Sequence, residues 1–192
     1  MTPRRPYGRR DMGKIVSTFF MSLDGVVESP DQWHFDFFND EMGAAVQEGT
    51  DRCGAYLMGR VLYEQWIEHW PPQAGEEGFG QFINMVDKYV LSNTLTESTW
   101  APLTILSGDD VAEQVRAVKE RTERDIGMFG SQTSVRWLLN HGLLDELHLL
   151  VHPVFVGQGD TLFHAGDPKV PLRLLSSETF ATGVLNLRYA VA

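Results

Sequence analysis

Two glycine corners carry the residue types that an anionic ligand requires. In the first, the short apolar run Leu57-Met58 meets Gly59 and Arg60, and a helical pattern continues to about Ile67. In the second, a run ending at Phe129 meets Gly130-Ser131-Gln132-Thr133, and the helical pattern Val135-Arg136-Trp137-Leu138-Leu139 follows directly. A glycine lets backbone approach a ligand closely, and the start of a helix offers unpaired N–H groups and the positive end of the helix dipole. Gly59, Arg60, Gly130, Ser131, Gln132 and Thr133 are therefore candidate phosphate contacts, Arg60 through its fork of donors and Ser131 and Thr133 through their hydroxyls. A turn glycine before a surface arginine, and a plain helix cap after a strand, would use the same residues. The second corner is not Gly-x-Gly-x-x-Gly, so a Rossmann unit has no motif here.

Other side chains suggest chemistry on a ring. Asp24, in Ser22-Leu23-Asp24-Gly25, could orient a ring nitrogen, or protonate a substrate if its pKa were raised, or simply make an Asx-turn. Trp33, Phe35, Phe37 and Phe38 crowd one irregular segment, where rings such as Trp33 and Phe35 could stack on a flat heterocycle or pack on the core. Trp66, with His69 and Trp70, forms a second aromatic group beside the Arg60 helix. Glu64 stands four residues after Arg60, the spacing of a helical ion pair, and is also a candidate substrate contact. His148 and His152 share one face of a strand near Glu146, but Pro153 follows and no compact ligand set accompanies them, so no metal is expected.

The elements that must position these residues alternate. Strands are predicted over Ile15–Met21, Ala55–Met58, Lys88–Ser92, Leu103–Leu106, Ile126–Phe129 and Leu147–Val151, each short and rich in β-branched, aromatic or aliphatic residues. Helices are predicted from an Asn39 or Asp40 cap to about Gly49, from Arg60, over Phe79–Met85, over Val111–Arg121 behind an Asp109 or Asp110 cap, and over Ser131–His141. Leu172–Phe180 and Val184–Val191 read as a closing antiparallel pair around Ala181-Thr182-Gly183. Such alternation predicts an α/β chain, a mixed sheet with helices on both faces.

The chain has 192 residues, 43% hydrophobic and 22% charged, enough for one domain with its own core. Its net charge is -10; with the +3 of residues 1–12 set aside, the remainder carries -13. That surface repels nucleic acid and anionic membranes, so an anionic ligand needs a local positive site. Cys53 is the lone cysteine, which excludes an intrachain disulfide and suits a reducing cytoplasm. No apolar stretch of roughly 18–20 residues is present, and the arginines ahead of Lys14 lack the apolar segment of a secretory signal. Residues 1–12 are expected to be a disordered extension, and 13–192 a single domain.

The order of several short strings resembles the dihydrofolate reductase-like superfamily, and more closely the C-terminal reductase domain of the bifunctional riboflavin biosynthesis protein in stand-alone form. The strings are Ser22-Leu23-Asp24-Gly25, Met58-Gly59-Arg60 with Tyr63-Glu64, Val90-Leu91-Ser92-Asn93-Thr94, Phe129-Gly130-Ser131, Gly142-Leu143-Leu144-Asp145-Glu146, and Pro153 with Val156-Gly157-Gln158-Gly159. The resemblance implies a three-layer α/β/α dihydrofolate reductase-like fold with a central mixed, mostly parallel sheet. It implies a cytoplasmic, homodimeric NADPH-dependent reductase acting on a small pterin-, pyrimidine- or flavin-like substrate, with NADH or a flavin as alternative cofactors. It also implies that Ser92, Asn93 and Thr94 meet the cofactor, that the loop holding Phe155 and Gly157 lies near nicotinamide and substrate, and that Asp24 is a catalytic-site residue. Asn93 stands where the family often carries an arginine for the extra ribose phosphate. A nucleotide- or flavin-binding protein with little catalysis fits the same residues.

Overall fold

The structure, a computed structural model, describes residues 12–192; the expected disordered extension lies, except for Met12, outside the described residues. In chain order the elements are β1 (Ile15–Ser22), α1 (Asp40–Arg52), β2 (Cys53–Gly59), α2 (Arg60–His69), α3 (Phe79–Met85), β3 (Asp87–Leu91) and β4 (Leu103–Leu106). They continue with α4 (Val111–Arg121), β5 (Asp125–Phe129), α5 (Gln132–Asn140), β6 (Glu146–His152), β7 (Leu172–Thr179) and β8 (Leu185–Val191). The strands form one sheet in the order β4-β3-β2-β5-β1-β6-β8-β7. Strands β1 to β6 pair in parallel and β8 and β7 antiparallel, which is the expected mixed, mostly parallel sheet.

Alternation along each strand divides the core in two. Ile15, Phe19, Leu57, Ile126, Met128 and Leu147 face α4 and α5, which return Val115, Val118, Val135 and Leu138. On the other face, Tyr56, Met58 and Val90 meet Tyr63 of α2 and Ile83 of α3, while Phe20 and Leu150 meet Met42 of α1. Burial of these apolar faces on both sides of the sheet holds the three layers together.

The boundaries differ from expectation where side chains are reassigned. α1 runs to Arg52 rather than Gly49, and Asn39 caps it by accepting the Met42 N–H at 3.0 Å. Asp110 occupies the cap position of α4, yet its carboxylate bonds no backbone amide of that helix; it accepts from Gln114 Nε2 at 2.7 Å. Lys88 opens β3 with only 1% of its surface exposed. Its ammonium donates to the carbonyls of Ile83 and Val86, both at 3.0 Å, and lies 4.9 Å from the Trp100 ring centre. The lysine thus closes the carbonyl end of α3, whose last acceptors have no intrahelical donor. Cys53 is buried at the start of β2, and burial pushes its thiol up to about 11, as suits an inert filler. Among the described residues, no helix is long and apolar enough to cross a membrane.

Candidate functional site

Parallel strands place all their carboxyl ends at one edge of the sheet, and the expected site residues follow that edge. Ser92-Asn93-Thr94 leaves β3, Gly59-Arg60 leaves β2, Gly130-Ser131 leaves β5, Asp24 follows β1, and Phe155 and Gly157 follow β6. Because β2 and β5 are neighbours, the two glycine corners stand side by side.

The corners are joined by a bond that sequence reading did not anticipate. The Gly59 N–H donates to Ser131 Oγ at 3.0 Å. Ser131 was expected to cap its helix or face a phosphate; its side chain makes no cap bond, and its hydroxyl oxygen, by accepting from Gly59, ties α5 to β2 while the O–H remains a donor. Gly130 and Ser131 have φ of +62° and +59°, so two left-handed residues precede α5. For serine this conformation costs on the order of 1–3 kcal/mol and is held by its surroundings. It turns Ser131 Oγ toward β2 and leaves the opening amides of α5 without a side-chain cap. α2 also begins without one, since its cap residue is Gly59. Two helix starts without side-chain caps thus stand on adjacent strands, and their first amides could hold an anion. Gln132 is half-buried there and Thr133 is exposed.

The remaining expected residues divide by what they touch. Arg60 Nη1 lies 2.6 and 2.7 Å from the two carboxylate oxygens of Glu64, and both side chains are exposed. Of the two expectations for Glu64, the helical ion pair with Arg60 is the contact it makes. Ser92 Oγ accepts from the N–H groups of Thr94 and Leu95, and Asn93 Oδ1 accepts from the Gly108 N–H at 2.9 Å. The β3 corner is therefore braced by its own side chains. Trp66 lies 5.6 Å, centre to centre, from Tyr56 and from Phe79, in the aromatic cluster beneath α2. Phe155 is 76% exposed beside Gly157.

Asp24 is an anchor. Its Oδ1 accepts from Ser22 Oγ at 2.6 Å and from the Val156 N–H at 3.1 Å, and its Oδ2 accepts from the Gly157 N–H at 2.8 Å. The Ser22 hydroxyl, followed by the Gly157 and Val156 amides, holds the carboxyl down to about 2. At neutral pH it is a carboxylate with no proton to give, so this geometry does not equip it as a general acid. The Asx-turn alternative fails as well, because Ser22 Oγ takes the turn amide of Val26 at 2.9 Å.

Two histidines that carried no role at this edge stand out. His152, paired with Ser22 in register, is fully buried, and His34 is 6% exposed. Trp33 and Phe37 cover His152, with ring centres 5.2 and 5.8 Å away. Phe35, in the same segment, is exposed 4.1 Å from the His34 ring. The aromatic richness of residues 33–38 was the available signal; His34 lay within it, overlooked because its neighbours are larger rings. His148 belongs elsewhere, 3.4 Å from Glu146, which Lys14 also holds. Among the described residues, no three His, Cys, Asp or Glu side chains gather as a metal would need.

Known proteins share this fold. A family model described as the RibD C-terminal domain matches residues 13–186. The chain is 26% identical over 180 residues to the uncharacterized protein YyaP of Bacillus subtilis (strain 168), covering 92% of this chain and 94% of that one. A pyrimidine reductase-like protein from Corynebacterium diphtheriae superposes with a TM-score of 0.68 at 13% identity, over 94% of this chain and 92% of its own. Dihydrofolate reductase from Enterococcus faecalis, in complex with NADP(H) and RAB-propyl, superposes with a TM-score of 0.59 at 15% identity, over 93% and 95%. At such identities the structural likeness speaks for the fold, which is the three-layer, dihydrofolate reductase-like one.

Proposed function

The chain belongs to the RibD C-terminal domain family, and from that premise we propose that it is an NADPH-dependent reductase of a small pterin-, pyrimidine- or flavin-like heterocycle. The observation that carries this reading is the joined pair of uncapped helix starts at Gly59 and Ser131. Amides at the openings of α2 and α5 suit a diphosphate, and Arg60 is the cation at hand for the extra ribose phosphate. Asn93 offers hydrogen bonds there but no charge. When bound, a reduced nicotinamide supplies hydride. The chain's own part is to hold the anion at the corners, to keep water from the ring with residues 30–38, and to fix the loop after β6 through Asp24.

One observation favours the alternative of a nucleotide- or flavin-binding protein with little turnover: Asp24, the expected acid, is held ionised. Absorbance at the reduced-nicotinamide band separates the two, since oxidation of NADPH in the presence of pterins or pyrimidines requires the reductase. Calorimetry tests the shared cradle. Arg60→Ala is expected to weaken NADPH about tenfold, the worth of one charge-assisted hydrogen bond. Glu64→Gln frees Arg60 and should tighten binding. Equal affinities in both variants and the parent would remove Arg60 from the site.

We also propose a homodimer formed through the outer end of the sheet. β7 is exposed along Arg173–Thr179, and Leu174, Leu175 and Leu185 remain exposed, an apolar edge of the kind that pairs or aggregates unless covered. Sedimentation should give twice the 21.7 kDa chain mass. Leu174→Glu should return it to the monomer; a monomeric parent would refute the proposal.

A further inference from the structure

The aromatic segment over β1 and β6 contains an arrangement that packing alone leaves unexplained. His152 Nδ1 lies 2.8 Å from the Leu150 carbonyl. A carbonyl only accepts, so Nδ1 carries the hydrogen and Nε2 of the neutral ring is a lone-pair acceptor. Burial holds both His152 and His34 below the ordinary histidine value, which keeps them neutral at pH 7. Yet His152 Nε2 is buried without a hydrogen-bond partner, and so is His34 Nδ1. Buried polar atoms are nearly always paired, so two orphans with ring centres 6.1 Å apart mark a place where a partner is missing.

His34 also occupies an unusual seat. Its ring lies flat on Phe20, with centres 4.4 Å apart and planes 16° from parallel. Phe20 belongs to β1 and touches Phe129 at the end of β5, one residue before Gly130. The stacked position therefore adjoins the proposed cofactor corner. A five-membered nitrogen ring fits this face in shape, but one of its nitrogens finds no partner. The segment that brings it there, residues 30–38, consists of two short 3-10 turns reached through Ser29 at φ +43°, a strained conformation for serine. A segment of short turns moves more readily than the sheet beneath it.

We propose that His34 is a built-in plug: its ring holds the face of Phe20 that a planar nitrogen heterocycle takes when it binds, and His152 Nε2 accepts a hydrogen bond from an N–H on that ligand. Residues 30–38 swing with His34 as the ligand enters, and Trp33 and Phe37 close over it. The ligand class is a flat one- or two-ring heterocycle that presents an N–H edge. This rests on the reductase reading for the ligand's purpose, and the binding itself is separable from it.

The test uses lumazine, which has ring N–H groups, and 1,3-dimethyllumazine, which has the same flat skeleton and none. Each is titrated by calorimetry into the full chain without nucleotide, and the imidazole nitrogens of the parent protein are followed by NMR. Lumazine is expected to bind, to move the His152 Nε2 resonance, and to bind about fivefold or more tighter to His34→Ala, where the plug is gone. Dimethyllumazine, and lumazine with His152→Phe, are expected to bind about tenfold or more weaker, the loss of one buried hydrogen bond. An unmoved His152 resonance at saturating lumazine overturns the proposal even if His152→Phe fails to fold. So does equal affinity for the two compounds, or no binding to either the parent or His34→Ala. NADPH titrated in parallel reports on the glycine corners. Lumazine binding without NADPH binding would remove the reductase reading and leave this one standing, and the reverse result would do the opposite.

Discussion

Lys88→Met is expected to lower the unfolding free energy by about 2–4 kcal/mol, and the melting temperature by about 5–15 °C for a chain of this length. Methionine keeps the length and apolar body of the side chain, so the change removes the charge with little change in volume. What is lost is the donor to the Ile83 and Val86 carbonyls and the cation over Trp100. Those carbonyls remain where they are, facing an apolar group, and an unsatisfied buried acceptor costs about 1–3 kcal/mol. A counter-effect limits the loss. Burial pushes the Lys88 ammonium down to about 8, so the native state bears a desolvation cost that methionine relieves. The carbonyls decide the sign because three of them, those of Ile83, Val86 and, at 3.4 Å, Asn84, lose this donor in one substitution. Lys88 sits at the start of β3, at the opposite end from Ser92, so nucleotide affinity at temperatures well below the transition should be unchanged. A melting temperature within about 1 °C of the parent would show that the ammonium contributes nothing net.

Gly59→Val is expected to weaken NADPH about 100-fold or more, the largest functional effect of any single substitution at the edge. Backbone conformation is not the reason. Gly59 has φ -83° and ψ 162°, extended values that any residue adopts. Space is the reason. A Cβ there would stand 2.6 Å from Ser134 Oγ, and 3.6 and 3.7 Å from Oγ and Cβ of Ser131. Alanine is tolerable if the Ser134 hydroxyl rotates away. Valine adds methyl groups toward Ser131, whose oxygen holds the Gly59 N–H and cannot retreat without breaking that bond. The first turn of α5 must then move from β2, and the bond that joins the two corners is lost. Overpacking of this kind also costs about 1–3 kcal/mol of stability, so binding is compared at a temperature where circular dichroism shows the variant folded. Graded loss from glycine through alanine to valine is the expected series; a valine variant that binds NADPH normally would place the nucleotide elsewhere.

Much of the architecture was legible because its causes are local. β-branched and aromatic runs gave the strands, and of the two candidate caps, Asn39 and Asp40, it is Asn39 that caps α1. The glycines at 59 and 130 lie at the strand-to-helix corners where the pattern put them. The resemblance added the family and the mixed, mostly parallel sheet. Partners far apart in sequence were not legible. Asp24 read as a turn former or an acid, and its carboxylate was instead claimed by amides 132 and 133 residues away. Ser131 read as a cap, and its oxygen went to an amide 72 residues away. Lys88 read as an unremarkable strand residue, since no periodicity tells which lysine will reach the carbonyl end of the preceding helix.

Residue order alone determined which segments become strands and helices, and that glycine and small polar residues stand at their junctions, because those preferences act over a few neighbouring residues. Tertiary structure alone decided that β2 and β5 lie side by side, that the Asp24 carboxylate anchors the loop after β6, and that His34 and His152 are sealed beneath rings with nitrogens unmet. Strand order, burial and hydrogen-bond competition depend on contacts between distant parts of the chain, and only folding brings those parts together.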